Sequence, residues 1–173
     1  MSLTLYDLSI PVLCDVHKAV RVILEKGDTW ATERKVNPKD LLTSRLHDDM
    51  QPLCMQIVHI VDTTNNVIAR LVGLPRPPKL EIQEISTFGE LYQLLDRSTA
   101  ELVVVNRDVV TAKANDAIPG KPFGKMVFMQ SWALPNIYFH LNMTYAILRS
   151  KSVPLGKMDY LEKFGSTELA GVE

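Results

Sequence analysis

Apolar residues recur at helical spacing through most of the chain, and four long stretches carry the pattern. From about Leu3 to Lys26, the residues Leu13, Val16, Val20, Ile23 and Leu24 form one stripe, the repeat by which a helix buries one face. Pro11 marks either the start of this helix or a kink in it. Gly27-Asp28 reads as its carboxyl end. A polar loop holding Trp30 follows, then Asn37-Pro38 as N-cap and first-turn proline of a short helix through Ser44. Asp48 or Asp49 is placed to cap the second long helix, with Pro52 in its opening turn. Leu53, Ile57, Ile60, Val61, Thr64, Ile68 and Leu71 trace its core face, and Gly73 closes it.

Residues 74–81, LPRPPKLE, make a stiff extended connector. Thr87 and Glu90 form a capping-box pair that opens a third helix, whose stripe is Leu91, Leu94, Leu95 and Leu102. The run LVVV at 102–105 suits a strand as well as a helix end. Between Asn106 and Gln130, clustered prolines and glycines predict a long loop or small hairpin over one end of the domain. The fourth helix runs from Leu134-Pro135 to about Ser152, with Leu134, Ile137, Leu141, Tyr145 and Leu148 on one face and Phe139 and Met143 on another. Apolar on two faces, it is expected to be the central helix. The tail VPLGKMDYLEKFG packs back or turns outward, and the last eight or so residues are expected to fray. The sum is an all-α, up-down four-helix bundle, one domain over residues 1–173, with sites built from side chains on facing helices.

Composition narrows the function. The chain is 46% hydrophobic and 23% charged, ordinary for a globular protein. With 19 basic and 20 acidic residues it has no cationic excess for a phosphate backbone or an anionic membrane. No run approaches the roughly 18 apolar residues of a membrane span, and the amino terminus is a poor signal peptide. Cys14 and Cys54 lie in apolar helical patterns without ligand-spaced partners, so free buried thiols and a cytoplasmic setting are expected.

The polar residues within apolar stripes are the candidates for chemistry. On a helical wheel His140 lies among Ile137, Met143, Thr144 and Ile147, with Asn136 one turn earlier on the same side. His17 occupies a core position in the stripe Leu13-His17-Val20-Leu24. An unpaired polar group there costs about 1–3 kcal/mol, so it requires a partner: His140, Tyr145, a water or a ligand. Tyr145 could donate its phenol into a pocket. His59, Asp62 and Asn66 recur largely opposite the apolar stripe, which places them on a solvated face, and His47 beside Asp48 and Asp49 is expected to be exposed. GKPFGK at 120–125 lacks the spacing and the strand-to-helix setting of a phosphate loop.

The opening LTLYDLSIPV, the stretch RLHDDMQPLCMQIVHIVDTTNNVIARLVG and above all ALPNIYFHLNMTYAILRSKSVPLGKMDYL resemble a family of the DinB/YfiT-like superfamily known only as a domain of unknown function. The resemblance is nearer to its fungal members than to its bacterial ones, and it extends from Leu3 to about Leu161. It implies a four-helix bundle, commonly a homodimer. In the superfamily, three histidines from two helices often bind a divalent metal, which some relatives use in thiol-dependent transfer or isomerisation. The two fourth-helix positions read Asn136 and His140 here. The second-helix position falls near Asp62 and Thr63, where family members often carry Asp-His. One histidine of the three is kept.

Three readings follow. The first is a metal-independent acid–base isomerase, lyase or cyclase acting on a small, largely apolar, carbonyl-bearing metabolite, of the kind met in secondary metabolism. His140 and His17 would converge on one cavity as acid and base, Asn136 or Tyr145 would polarise the carbonyl, and Asp62 and Met143 would contact the substrate, with no cofactor. The second keeps a divalent metal on His140, Asp62 and Asn136. The third is a non-catalytic dimeric ligand-binding or scaffold bundle.

Overall fold

The computed structural model describes residues 3–80 and 85–165. Four long helices carry the core: α1 (Ile10–Arg34), α3 (Leu53–Val72), α4 (Phe88–Val103) and α7 (Leu134–Ser150), with short helices α2 (Pro38–Leu42), α5 (Arg107–Ala112), α6 (Lys125–Phe128) and α8 (Lys157–Leu161) between and after them. α3 packs on α7 and α1 on α4, while α3–α4 and α1–α7 contacts close the ring. Pairs such as Arg21–Asp96 and Asp28–Tyr92 run α1 antiparallel to α4. Asn136–Thr63 and His140–Gln56 do the same for α7 and α3.

Local chemistry explains most of the boundaries. The Thr87–Glu90 capping box is present, with Glu90 N–H donating to Thr87 Oγ1 and the Glu90 carboxylate accepting from Thr87 N–H. Asn37 caps α2 through Lys39 N–H, and Gly73 closes α3 in the left-handed region at φ 83°.

Several expectations need correction. α1 does not end at Gly27 but runs on through Trp30 to Arg34, closed by Lys35 at φ 56°. Gly27 is inside the helix because α7 comes close there: a Cβ on it would lie 3.1 and 3.2 Å from the two Leu148 methyls. Neither Asp48 nor Asp49 caps α3, whose N-cap position is Pro52; Asp49 instead pairs with the exposed His47 at 2.7 Å. LVVV ends α4 as helix and turn, and the expected hairpin between 106 and 130 is reduced to one antiparallel bridge, Ala117–Gly124, flanked by α5 and α6.

The last departure is at α7. From Lys125 to Ser150 the helix is continuous, but Met129–Ala133 is a π-turn in which Leu134 N–H reaches back five residues to Met129 O. Pro135 follows it with no N–H to donate into the preceding turn. α3, not α7, is the more enclosed helix: Gln56, Thr63, Thr64 and Asn66 are buried with its apolar residues, whereas Phe139 on α7 is 51% exposed. The tail packs back, Lys26 pairing with Asp159 and Phe164 lying against Tyr138 and Tyr160. The expected fraying concerns residues outside those described.

Candidate functional site

His17 and His140 do not share a cavity. His17, only 3% exposed, is held at 3.1 Å by Thr99 Oγ1 on Nδ1 and at 3.1 Å by Thr64 Oγ1 on Nε2. Thr99 gives its own proton to Leu95 O, so it accepts from Nδ1–H and Thr64 donates to Nε2. Both ring nitrogens are satisfied in one neutral tautomer. Burial pushes the pKa down to about 4, against the opposing pull of the Leu95 carbonyl. His17 is therefore a bonded core histidine, and the convergence expected of the two imidazoles is corrected accordingly.

The partner of His140 is His59. The rings stack with centroids 4.7 Å apart and planes 27° from parallel, and Phe139 meets the His140 ring edge-on at 5.3 Å. His140 Nδ1 lies 2.8 Å from Gln56 Oε1, while Gln56 Nε2 donates to Gln51 O at 2.8 Å. That second bond fixes the amide so that Oε1 must accept, which puts the His140 proton on Nδ1 and leaves the lone pair on Nε2. Among the described residues nothing hydrogen-bonds that Nε2. Burial lowers the His140 pKa to about 4, helped by proximity to His59. Burial also lowers the His59 pKa, with Asp62 opposing and Lys79 assisting. Both rings are neutral at pH 7.

One turn along, Asn136 Nδ2 donates to the buried Thr63 Oγ1 at 3.0 Å. Two turns further, Arg70 Nε donates to Asn66 Oδ1 at 2.9 Å, and its guanidinium lies 5.1 Å over the Phe128 ring. His59, Thr63, Asn66 and Arg70 thus form a polar seam on one face of α3, spaced 4, 3 and 4 residues apart. His140, Asn136 and Phe128 answer it from the opposing helix. Thr63 and Arg70 are seven residues apart on α3, whereas their partners Asn136 and Phe128 are eight apart. A regular helix at about 100° per residue would splay those two by about 80°; the π-turn absorbs the extra residue and returns both to α3.

The other predicted residues lie elsewhere. Asp62 accepts from Leu80 N–H at 3.2 Å and Arg76 Nη2 at 3.3 Å, so it ties the 74–80 connector to α3. Tyr145 is turned about 140° around α7 from His140. It reaches Leu155 O at 3.4 Å and lines a separate cavity of about 310 Å³ with Asn142, Lys157, Tyr160 and Leu161. Met143 is half-buried on α7. Sequence reasoning missed His59, Thr63 and Gln56. Their signal was the 56–59–63–66–70 spacing; read instead as 59–62–66, it turned toward solvent.

The profile of a domain of unknown function, DUF1993, matches residues 5–161. The chain belongs to the DUF1993 family. A crystal structure of a DinB family member from Shewanella denitrificans superposes with a TM-score of 0.78 at 31% identity, covering 91% of each chain. No curated protein matches it. The fold is thus DinB-like, as the resemblance implied.

The metal implied by that fold can be tested against this DUF1993 chain. The described residues contain no group of three His, Cys, Asp or Glu able to hold a metal ion. Thr63 and Asn136 bond each other, Asp62 is engaged by Arg76 and Leu80, and the two imidazoles lie face to face. These residues do not fit a three-ligand centre. Elsewhere, Cys14 and Cys54 are free and half-buried, with burial pushing both thiols up. Among the described residues no helix is long and apolar enough to cross a membrane.

Gln56 gives a direct check on this geometry. Gln56→Leu removes the acceptor that holds the His140 proton, which costs about 1–3 kcal/mol if Nδ1–H stays buried. The expected outcome is a shift of His140 toward the Nε2–H tautomer in imidazole ¹⁵N spectra, with His17 unchanged. An unaltered His140 tautomer would mean that the bond to Gln56 does not set it.

Proposed function

We propose that this protein is a small-molecule enzyme that moves a proton without a metal, using His140 and His59 at the α3–α7 seam. The supporting observation is the stacked imidazole pair with the His140 tautomer set by Gln56. In this reading Nε2 of His140 takes a proton from carbon and becomes imidazolium. The electron pair moves onto a carbonyl oxygen, where an N–H of neutral His59 and the Asn136 amide hydrogen-bond to it. On a β,γ-unsaturated carbonyl compound the enolate extends over the adjacent C=C, and the imidazolium returns the proton to the far carbon of that bond. The net reaction is isomerisation to the α,β-conjugated compound, and no cofactor is consumed.

The low proton affinity of His140 narrows the substrate. A ring whose conjugate acid sits at about 4 is a weak base at neutral pH, so the carbon must already be acidified by an adjacent carbonyl. The flanking Phe139 ring suits a largely apolar compound.

The test is solvent deuterium wash-in next to the carbonyl across a panel of small apolar ketones and aldehydes, using EDTA-treated protein. Wild-type protein should catalyse exchange, and His140→Ala and His59→Ala should each lower it by about 100-fold or more. Folded protein that exchanges nothing in the panel would sink the reading. Stoichiometric metal in untagged protein that vanishes in His140→Ala would also sink it, in favour of metal chemistry.

A further inference from the structure

A cavity of about 410 Å³ opens at the carboxyl end of α3, remote from the imidazoles. Arg70, Arg76, Lys113 and Lys125 line it, with Asp116 as the carboxylate among its lining residues. Two of these cations cap the helix: Lys113 Nζ donates to Val72 O at 2.8 Å and Lys125 Nζ to Leu71 O at 3.0 Å. A helix end carries only about half a negative charge. Asp116 is 3.8 Å from Lys125 and is itself largely exposed. Asp62 takes Arg76 from outside the cavity. Among the described residues, setting these against four full charges leaves the cavity positive.

The side chains were not brought there by chance encounter at the surface. Lys125 is 2% exposed, so folding desolvates an ammonium group at this spot. Arg70 is fixed by Asn66 and by the Phe128 ring. Like charges also face one another: after burial, Arg76 weakens Arg70's hold on its proton, and Lys113 weakens that of Lys125 against the larger opposing pull of Asp116. A fixed, mutually repelling set of cations around a cavity is relieved by an anion.

From this geometry we infer that the cavity at the end of α3 is a binding site for an oxyanion group, a carboxylate or a phosphoryl group. Eleven residues separate His59 from Arg70, about 16 Å along the helix. A small metabolite at the imidazoles does not span that distance, so the oxyanion site stands independently of the proposed reaction. Lys125 is the last residue of GKPFGK, and it serves here from a helix without any phosphate-loop fold.

The experiment titrates the full chain with sodium phosphate and, separately, sodium succinate, by calorimetry and thermal shift, against sodium chloride at equal ionic strength. Saturable binding of either oxyanion is expected. A preference for phosphate points to phosphoryl ligands and a preference for succinate to carboxylates. Lys113→Gln should weaken it about tenfold. Asp116→Asn, at an exposed position that leaves the fold intact, should tighten it about twofold to fivefold. Lys151→Gln, at the far end of α7, should change nothing. Responses no larger than chloride, or binding indifferent to both Lys113→Gln and Asp116→Asn, would overturn the site.

Discussion

Replacing His17 with leucine should leave stability at pH 7 within about 1 kcal/mol of wild type and remove much of the protein's acid sensitivity. At neutral pH the ring is uncharged, so leucine loses two hydrogen bonds and no ion pair. Thr99 keeps its bond to Leu95 O, and the Thr64 hydroxyl can turn to a carbonyl of its own helix. Below neutrality the two proteins diverge. Unfolded histidine takes up a proton near 6.5, whereas His17 in the folded protein does so only near 4. Between those values the unfolded state binds more protons, so stability falls as pH falls. It is complete above 6.5 and lost down to 4, by about 3 kcal/mol for this one buried group. His140 and His59, shifted in the same direction but more exposed, add to it. Asp7, Glu90 and Asp159, whose carboxyls are held below their ordinary values, add to it at the acid end of the range. Urea midpoints at several pH values between 7 and 4 give the comparison. Equal slopes for wild type and His17→Leu would show that His17 is not the group responsible.

Gly27→Leu should cost about 3 kcal/mol or more. Even a Cβ at this position comes within 3.1 Å of one Leu148 methyl and 3.2 Å of the other, with the Phe88 ring at 3.6 Å. Leu148 and Phe88 are themselves 0% and 2% exposed, so neither has anywhere to move, and a leucine must push α1 off α7. Alanine is different. It regains about 1 kcal/mol of helix propensity against a contact that needs a few tenths of an ångström of relief, so Gly27→Ala should be close to neutral. Denaturant midpoints of both variants check this. A tolerated leucine would mean that α1 and α7 are not in close contact at this level.

Most of the architecture was legible because it follows from local chemistry. Apolar periodicity, the Thr87–Glu90 box and the Asn37 cap act within one or two turns, and each element they mark is present. Gly27 misled because glycine has two uses, and which one applies depends on Leu148, more than a hundred residues away. His17 and His140 were rightly singled out as polar groups in apolar surroundings, but their partners are a matter of packing. Thr64 and Thr99 for one, and Gln56 and His59 for the other, are fixed by the ring order of the helices. His59 itself was misplaced by a small error in angle. Its face of α3 is polar yet enclosed, and a hydrophobic stripe cannot reveal a buried arc made of Thr63, Asn66 and the stem of Arg70.

The π-turn at Met129–Ala133 has a consequence for how this chain can vary. A helix that carries a surplus residue behaves like a screw thread with one slack notch. The chain can lose one residue there, becoming regular helix with Phe128 and Asn136 seven apart like Arg70 and Thr63, without stripping either flank from its counterpart on α3. The imidazole end and the cation end keep their alignment through that one deletion.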